Sequence, residues 1–226
     1  MTFDEFKSNF EKFSKIDNTE KLAICKQKYQ QHLLHIADQD YFEPVEDMPI
    51  NDLHSKYLAA TENILTNSPN ETCQYAYIVR PSFEPEYSLC LSLLNDQFSL
   101  TYTILEKNYW AISNGPHNLN KSIRRCCSTI ELNKNIGNKL ILLLDRAIMM
   151  ARKRQSNMII LDGILFTICR YNTSETTRFS KHSPSQESVS GKIIEIMEQL
   201  IQFTEDSDMD IAKIEILIDN LIKSKF

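Results

Sequence analysis

The residues that could carry chemistry are few and scattered. Asp162, His182 and Glu84 are a carboxylate, an imidazole and a second carboxylate that only folding could bring together. A general acid–base pair needs such groups within hydrogen-bond reach of one substrate atom. Glu84 and Glu86 are two apart, a spacing that sets carboxylates on one face of an extended segment, and nothing around them marks an acid–base pair. Asp162 stands before Gly163, where a turn-forming aspartate is the simpler reading. His32 and His35 lie one helical turn apart, yet no thiol or carboxylate stands at a third-ligand spacing, so no metal and no cofactor are expected. The six cysteines (Cys25, Cys73, Cys90, Cys126, Cys127 and Cys169) contain no C-x-x-C pair. Cys126-Cys127 reads as one packed and one half-exposed thiol, since a vicinal disulfide is strained. There is no phosphate-binding glycine loop, no H-E-x-x-H and no G-x-S-x-G. Ser190-Gly191 lacks the preceding glycine and falls at a helix start. With four glycines in 226 residues, phosphate-cradling loops are disfavoured.

Charge is more informative than motif. Residues 1–106 carry a net −9, residues 107–182 a net +9 and residues 183–226 a net −5. The simplest account is that the basic middle folds against its acidic flanks. The alternative is a basic face for a polyanion, built from Lys121 to Arg125 and Arg152 to Arg154, with Tyr109 and Trp110 as stacking platforms. The acidic, amphipathic opening Met1-Thr2-Phe3-Asp4-Glu5 is not expected to act as a secretory signal. The longest aliphatic run, Leu140 to Leu144, is far short of the ~20 residues that span a bilayer. A cytoplasmic chain with reduced thiols is the expectation.

Helices and strands must position these groups. Phe3, Phe6, Phe10 and Phe13 give the stripe of a helix over 2–15, with Thr2 and Glu5 as a capping box. A second helix is expected from Thr19 to Ala37, an acidic loop over 38–49, and a third helix from Asn51 or Asp52 to Leu65. The period then changes to two. Strands are expected over Cys73 to Val79, Tyr87 to Leu94 and Phe98 to Leu105, with a further short one within Ser122 to Leu132. Short connections imply an antiparallel meander. In Phe98 to Leu105 the apolar residues alternate with Ser99, Thr101 and Thr103, the pattern of a sheet with one buried and one wet face. Asn133 caps a helix expected to reach Arg152. The segment around Asp162-Gly163, Ile164 to Tyr171 and Thr176 to Ser180 reads as a turn and a hairpin. Two amphipathic helices end the chain, separated by an acidic break at Thr204 to Asp208. The expected fold is α+β and a single domain over 1–226, with a helical segment 1–70, a sheet with one crossing helix over 73–182 and terminal helices over 185–226.

Four short pieces recur in a suggestive order: Ser82-Phe83 leading to Tyr87-Ser88-Leu89, then Asn108-Tyr109-Trp110, then Leu161-Asp162-Gly163 with Phe166, then Ser183-Pro184 ahead of an amphipathic helix. In this order, over roughly residues 75 to 203, the chain resembles a group of small bacterial α+β proteins, some of them similar to immunity proteins encoded beside contact-dependent or secreted toxins. The resemblance implies a non-catalytic protein that occludes one cognate toxin. Many such toxins are basic enzymes acting on nucleic acid, so an acidic surface would speed association. The partner-binding candidates it implies are Asp38, Asp40, Tyr41, Phe42, Glu43, Glu46 and Asp47 in the first acidic stretch. Glu205, Asp206 and Asp208 are those of the second. An enzyme with a fold-assembled site and a nucleic-acid-associated module built on 107–182 are the competing expectations.

Overall fold

A computed structural model describes residues 1–13, 18–45, 53–66, 73–113, 122–156, 163–172, 175–206 and 208–224. The fold is α+β. Its elements in chain order are α1 (Phe3–Phe13), α2 (Asn18–Asp38), β1 (Glu43–Pro44), α3 (Leu53–Thr66), β2 (Cys73–Pro81), β3 (Tyr87–Leu94), β4 (Gln97–Leu105), α4 (Tyr109–Ile112), β5 (Arg125–Leu132), α5 (Lys134–Met149), β6 (Ile164–Tyr171), β7 (Thr176–His182), α6 (Val189–Glu205) and α7 (Ile211–Lys223). The strands form one antiparallel sheet in the order β1-β7-β6-β2-β3-β4-β5. The expected meander is β2 to β5. The expected hairpin is β6–β7, which joins the meander through β2.

Local chemistry explains several boundaries. Glu5 accepts the Thr2 amide at 2.8 Å and the Thr2 hydroxyl accepts the Glu5 amide at 3.3 Å, the expected capping box. Asn95 and Asp96 take φ of 50° and 67°, the left-handed pair of a two-residue hairpin, and fix the register Leu94↔Gln97. Asn133 caps α5 through the Asn135 amide, and Ser188 caps α6 through the Gly191 amide. Gly163, at φ 146°, sits where a Cβ would meet the Ser183 hydroxyl. The run Met158 to Leu161 and Asp162 lies outside the described residues.

The sheet is covered on both faces. On one face α5, α6 and α7 pack over Tyr77, Val79, Leu89, Leu100, Phe166 and Ile168. On the other, Tyr57 and Leu65 of α3 and Tyr109 of α4 pack over Ala76, Ile78, Cys90, Leu105 and Cys169. This corrects the expectation of a wet face on β4. Thr101 and Thr103 are buried, because α3 crosses β2, β3 and β4, and their hydroxyls find Thr129 and Cys127 on β5. Two further expectations shift. The acidic loop after α2 contains β1, which pairs Glu43 with Ser180 and Pro44 with Phe179 at the edge of β7. And α5 stops at Met149 rather than Arg152, since the chain leaves the helix to let the Arg152 amide donate to the Phe42 carbonyl at 3.0 Å. Among the described residues no helix is long and apolar enough to cross a membrane.

Gly137 records how closely α5 sits on the sheet. A Cβ there would come within 2.5 Å of the Phe98 ring. Gly137→Ala is therefore expected to destabilise the fold by about 1–3 kcal/mol through overpacking, against the ~1 kcal/mol that alanine gains in an exposed helix. A denaturant titration showing a more stable variant would contradict this packing.

Candidate functional site

The first acidic stretch is a junction of the fold. Asp38, the last residue of α2, is buried, and its carboxylate accepts the backbone amides of Ser156 at 2.8 Å and Gln155 at 3.1 Å. Burial alone would raise this carboxyl, but the amide donors outweigh it and hold it below its usual value. The Asp38 carbonyl accepts the Lys181 ammonium. Asp40, exposed, accepts the Val189 amide at 3.0 Å at the start of α6. The Arg152 guanidinium stacks 3.8 Å from the centre of the half-buried Tyr41 ring and donates to the Ala37 carbonyl. Phe42 is part of the core, and half-buried Glu43 pairs with Lys181 at 3.3 Å. Glu46 and Asp47 lie outside the described residues.

This clamp gives a pH signature. The lowered Asp38 value means its stabilisation is fully present above the ordinary aspartate range and is lost as pH falls through the folded value. Asp38→Asn is expected to cost about 1–3 kcal/mol at neutral pH. The gap between wild type and variant, followed by urea titration down to about pH 3, should close in acid. A gap independent of pH would contradict the role of the charged carboxylate.

The second acidic stretch behaves differently. Glu205, Asp206 and Asp208 are all exposed. Asp206 accepts the Asp208 amide at 3.1 Å, and Asp210 caps α7 through the Ala212 amide. The two stretches do not form one surface. Asp40 marks the beginning of α6 and Glu205 its end, and the 17 residues between them span about 25 Å.

The basic stretches are also separated. Arg125 reaches the Ile64 carbonyl at 2.6 Å from β5, at one edge of the sheet, while Arg152 bonds beside β1 at the other. Six strand spacings, about 29 Å, lie between those edges. Lys121 lies outside the described residues. Tyr109 is fully buried and cannot stack on a base, and Trp110 leans edge-on against Tyr57 at 5.0 Å. Arg152 to Arg154, expected at the end of α5, instead lie in the segment after it. Much of the basic middle is matched to the acidic flanks: Lys181 to Glu43, Arg178 to Glu62 at 2.8 Å, Lys139 to Glu215 and Asp219, and Lys134 to Asp96.

The groups weighed for catalysis do not converge. Asp162 lies outside the described residues. Glu84 is exposed on a loop, whereas Glu86 is fully buried and accepts from the Tyr57 hydroxyl at 2.6 Å and the Tyr109 amide at 2.7 Å. The pair thus point to different environments. His182 is half-buried beside Gly163, and burial lowers its pKa. His32 packs against Phe6 and His35 lies 3.2 Å from the Gln39 amide group. Among the described residues no group of three His, Cys, Asp or Glu is arranged to hold a metal. Cys126 and Cys127 are both exposed and free, not one packed and one half-exposed.

One half-buried carboxylate carries no motif in the sequence. Glu198 of α6 accepts the Tyr77 hydroxyl at 2.7 Å and the Tyr87 hydroxyl at 3.1 Å, and burial raises its pKa against those donors. Ile194, four residues before it, and Ile201, three residues after it, are core residues, which was the available signal. A cavity of about 270 Å³ between α6 and α7 is lined by Lys192, Glu195, Ile196, Leu217, Asn220, Leu221 and Ser224. Comparison with protein-family models, with curated proteins and with solved structures finds no match.

Proposed function

We propose that this chain is a non-catalytic binding protein of the toxin-immunity type, which occludes a cationic protein partner with an acidic surface. The observation that carries the reading is the α6–α7 turn, where Glu205, Asp206 and Asp208 remain exposed while the carboxylate of Asp38 and the ring of Phe42 are committed to the interior. An exposed cluster of like charge steers a cationic partner and complements its surface. The pairing of Lys139 with Glu215 and Asp219 on α7 supports the same reading, because it neutralises charge on the helix itself and leaves the exposed carboxylates concentrated at the α6–α7 turn. A bacterial cytoplasmic setting belongs to the proposal, and six free thiols suit it.

The test is recovery of the tagged chain from cells that naturally produce it, at low and moderate salt. The proposal expects one stoichiometric protein partner that survives moderate salt. Nucleic acid co-purifying at low salt alone would overturn it in favour of a polyanion-binding role.

A further inference from the structure

We infer that the outer edge of β5 is a docking strand for an extended, cationic segment of the partner protein. The inference rests on the binding reading above and names the surface and the chemistry that would use it. The Glu106 amide donates to the Arg124 carbonyl at 3.0 Å. In an antiparallel ladder the paired residues alternate, so even-numbered residues of β5 bond to β4 and odd-numbered ones turn their backbone groups outward. Those are Arg125, Cys127, Thr129 and Glu131, and all four are exposed. Among the described residues no strand pairs with this edge.

The two edges of the sheet are handled differently. β1 is two residues long and ends in Pro44, a blunted edge. β5 is eight residues long, contains neither proline nor glycine, and keeps an unbroken register with β4. Such an edge is a template for strand addition.

Charge selects the occupant. The Ser128 hydroxyl, at the middle of β5, donates to the Thr204 carbonyl at 2.8 Å, the last turn of α6. Glu205, Asp206 and Asp208 therefore lie toward the Ser128 to Leu132 half of the open edge, with Glu131 on the strand itself, while Arg124 and Arg125 stand at its opposite end and Arg125 is turned to the Ile64 carbonyl. A second copy pairing symmetrically near Ser128 would bring its own three carboxylates alongside, about 10 Å away and within a Debye length. Lys or Arg side chains on an incoming strand meet the same carboxylates favourably. The α6–α7 turn thus disfavours self-association and favours a cationic strand.

The probes are a soluble peptide alternating Val with Lys and its Val–Glu counterpart, added at millimolar concentration to the full chain, with amide exchange read residue by residue. The Val–Lys peptide is expected to slow exchange at Cys127 and Thr129 by about tenfold or more, and the Val–Glu peptide to leave them unchanged. Thr129→Pro removes an outward amide donor, keeps the backbone ladder to β4 and loses the hydroxyl contact with Thr101; it should abolish the protection, with Thr129→Val, which loses only that hydroxyl, retaining it. The double reversal Glu205→Lys with Asp206→Lys, which leaves the strand intact, should invert the preference between the peptides. No protection by either peptide, or equal protection by both, would overturn the inference. Protection that rises with protein concentration alone would assign the edge to a second copy instead. A natural partner that binds Thr129→Pro as tightly as wild type would sink the edge assignment while leaving the binding-protein reading standing.

Discussion

Glu86→Ala is expected to destabilise the protein by about 3–5 kcal/mol. The residue is fully buried where α3 and α4 meet over the sheet. Its carboxylate receives the Tyr57 hydroxyl of α3 and the amides of Tyr109 and Trp110 at the start of α4. Alanine strands all three donors without water and opens a cavity. Glu86→Gln keeps an acceptor and should cost less, about 1–2 kcal/mol. The chain has one tryptophan, so Trp110 fluorescence reports on this junction alone. Loosening α4 should shift its emission to the red before global unfolding. An unchanged denaturant midpoint and emission would show that α3 and α4 are anchored some other way.

Arg80 carries the second large effect. It is buried on the α3 face of β2 and distributes its guanidinium over Thr61 at 2.8 Å, Thr167 at 3.0 Å and the Leu58 carbonyl at 3.1 Å. Burial lowers its pKa, and the carboxylates of Glu62 and Glu86 oppose that effect. Arg80→Ala is expected to lose about 3–5 kcal/mol, because it leaves a cavity and removes a charge that balances two buried carboxylates. Arg80→Lys should lose about 2 kcal/mol or more, since one ammonium cannot reach three acceptors fixed by a planar fork. Equal stability of Arg80→Lys and wild type in urea would contradict the fork geometry.

These two residues show where the sequence stopped being legible. The period-two run of β4, the β-rich runs of β3 and β6 and the polar turns at Asn95-Asp96-Gln97 and Asn172 to Glu175 were legible, since alternation and turn composition are local properties. The caps at Thr2 and Asn133 were local too. Glu86 and Arg80 were not, because a buried charge between polar and aromatic neighbours looks like a surface charge until the helix that covers it is placed. The same reason accounts for Thr101 and Thr103, whose face α3 covers from some forty residues upstream in the chain. β1 escaped notice because two residues ending in proline carry no period.

The candidate surface was half legible. Clusters of Asp and Glu can be counted, but whether a carboxylate faces water depends on its neighbours. Asp38 meets two amides contributed from residues 155 and 156, and no pattern near residue 38 announces them. Glu205 to Asp208 lie at a helix end where the chain must turn, and there the sequence and the geometry agree. Net charge likewise overstated the basic middle segment, whose arginines and lysines are spread over β5, α5, β6 and β7, several of them paired with carboxylates of the flanks.

The most direct test is a paired recovery experiment on the wild-type chain and the triple variant Glu205→Lys, Asp206→Lys, Asp208→Lys, with thermal unfolding confirming that both are folded. The three side chains are exposed and none belongs to the core, so stability should change by no more than about 0.5 kcal/mol. The account predicts that one protein partner is captured by the wild type and that the variant loses most of it, with association slowed by at least about tenfold. Capture of the same partner at the same rate by both proteins would contradict the claim that the α6–α7 turn is the binding surface.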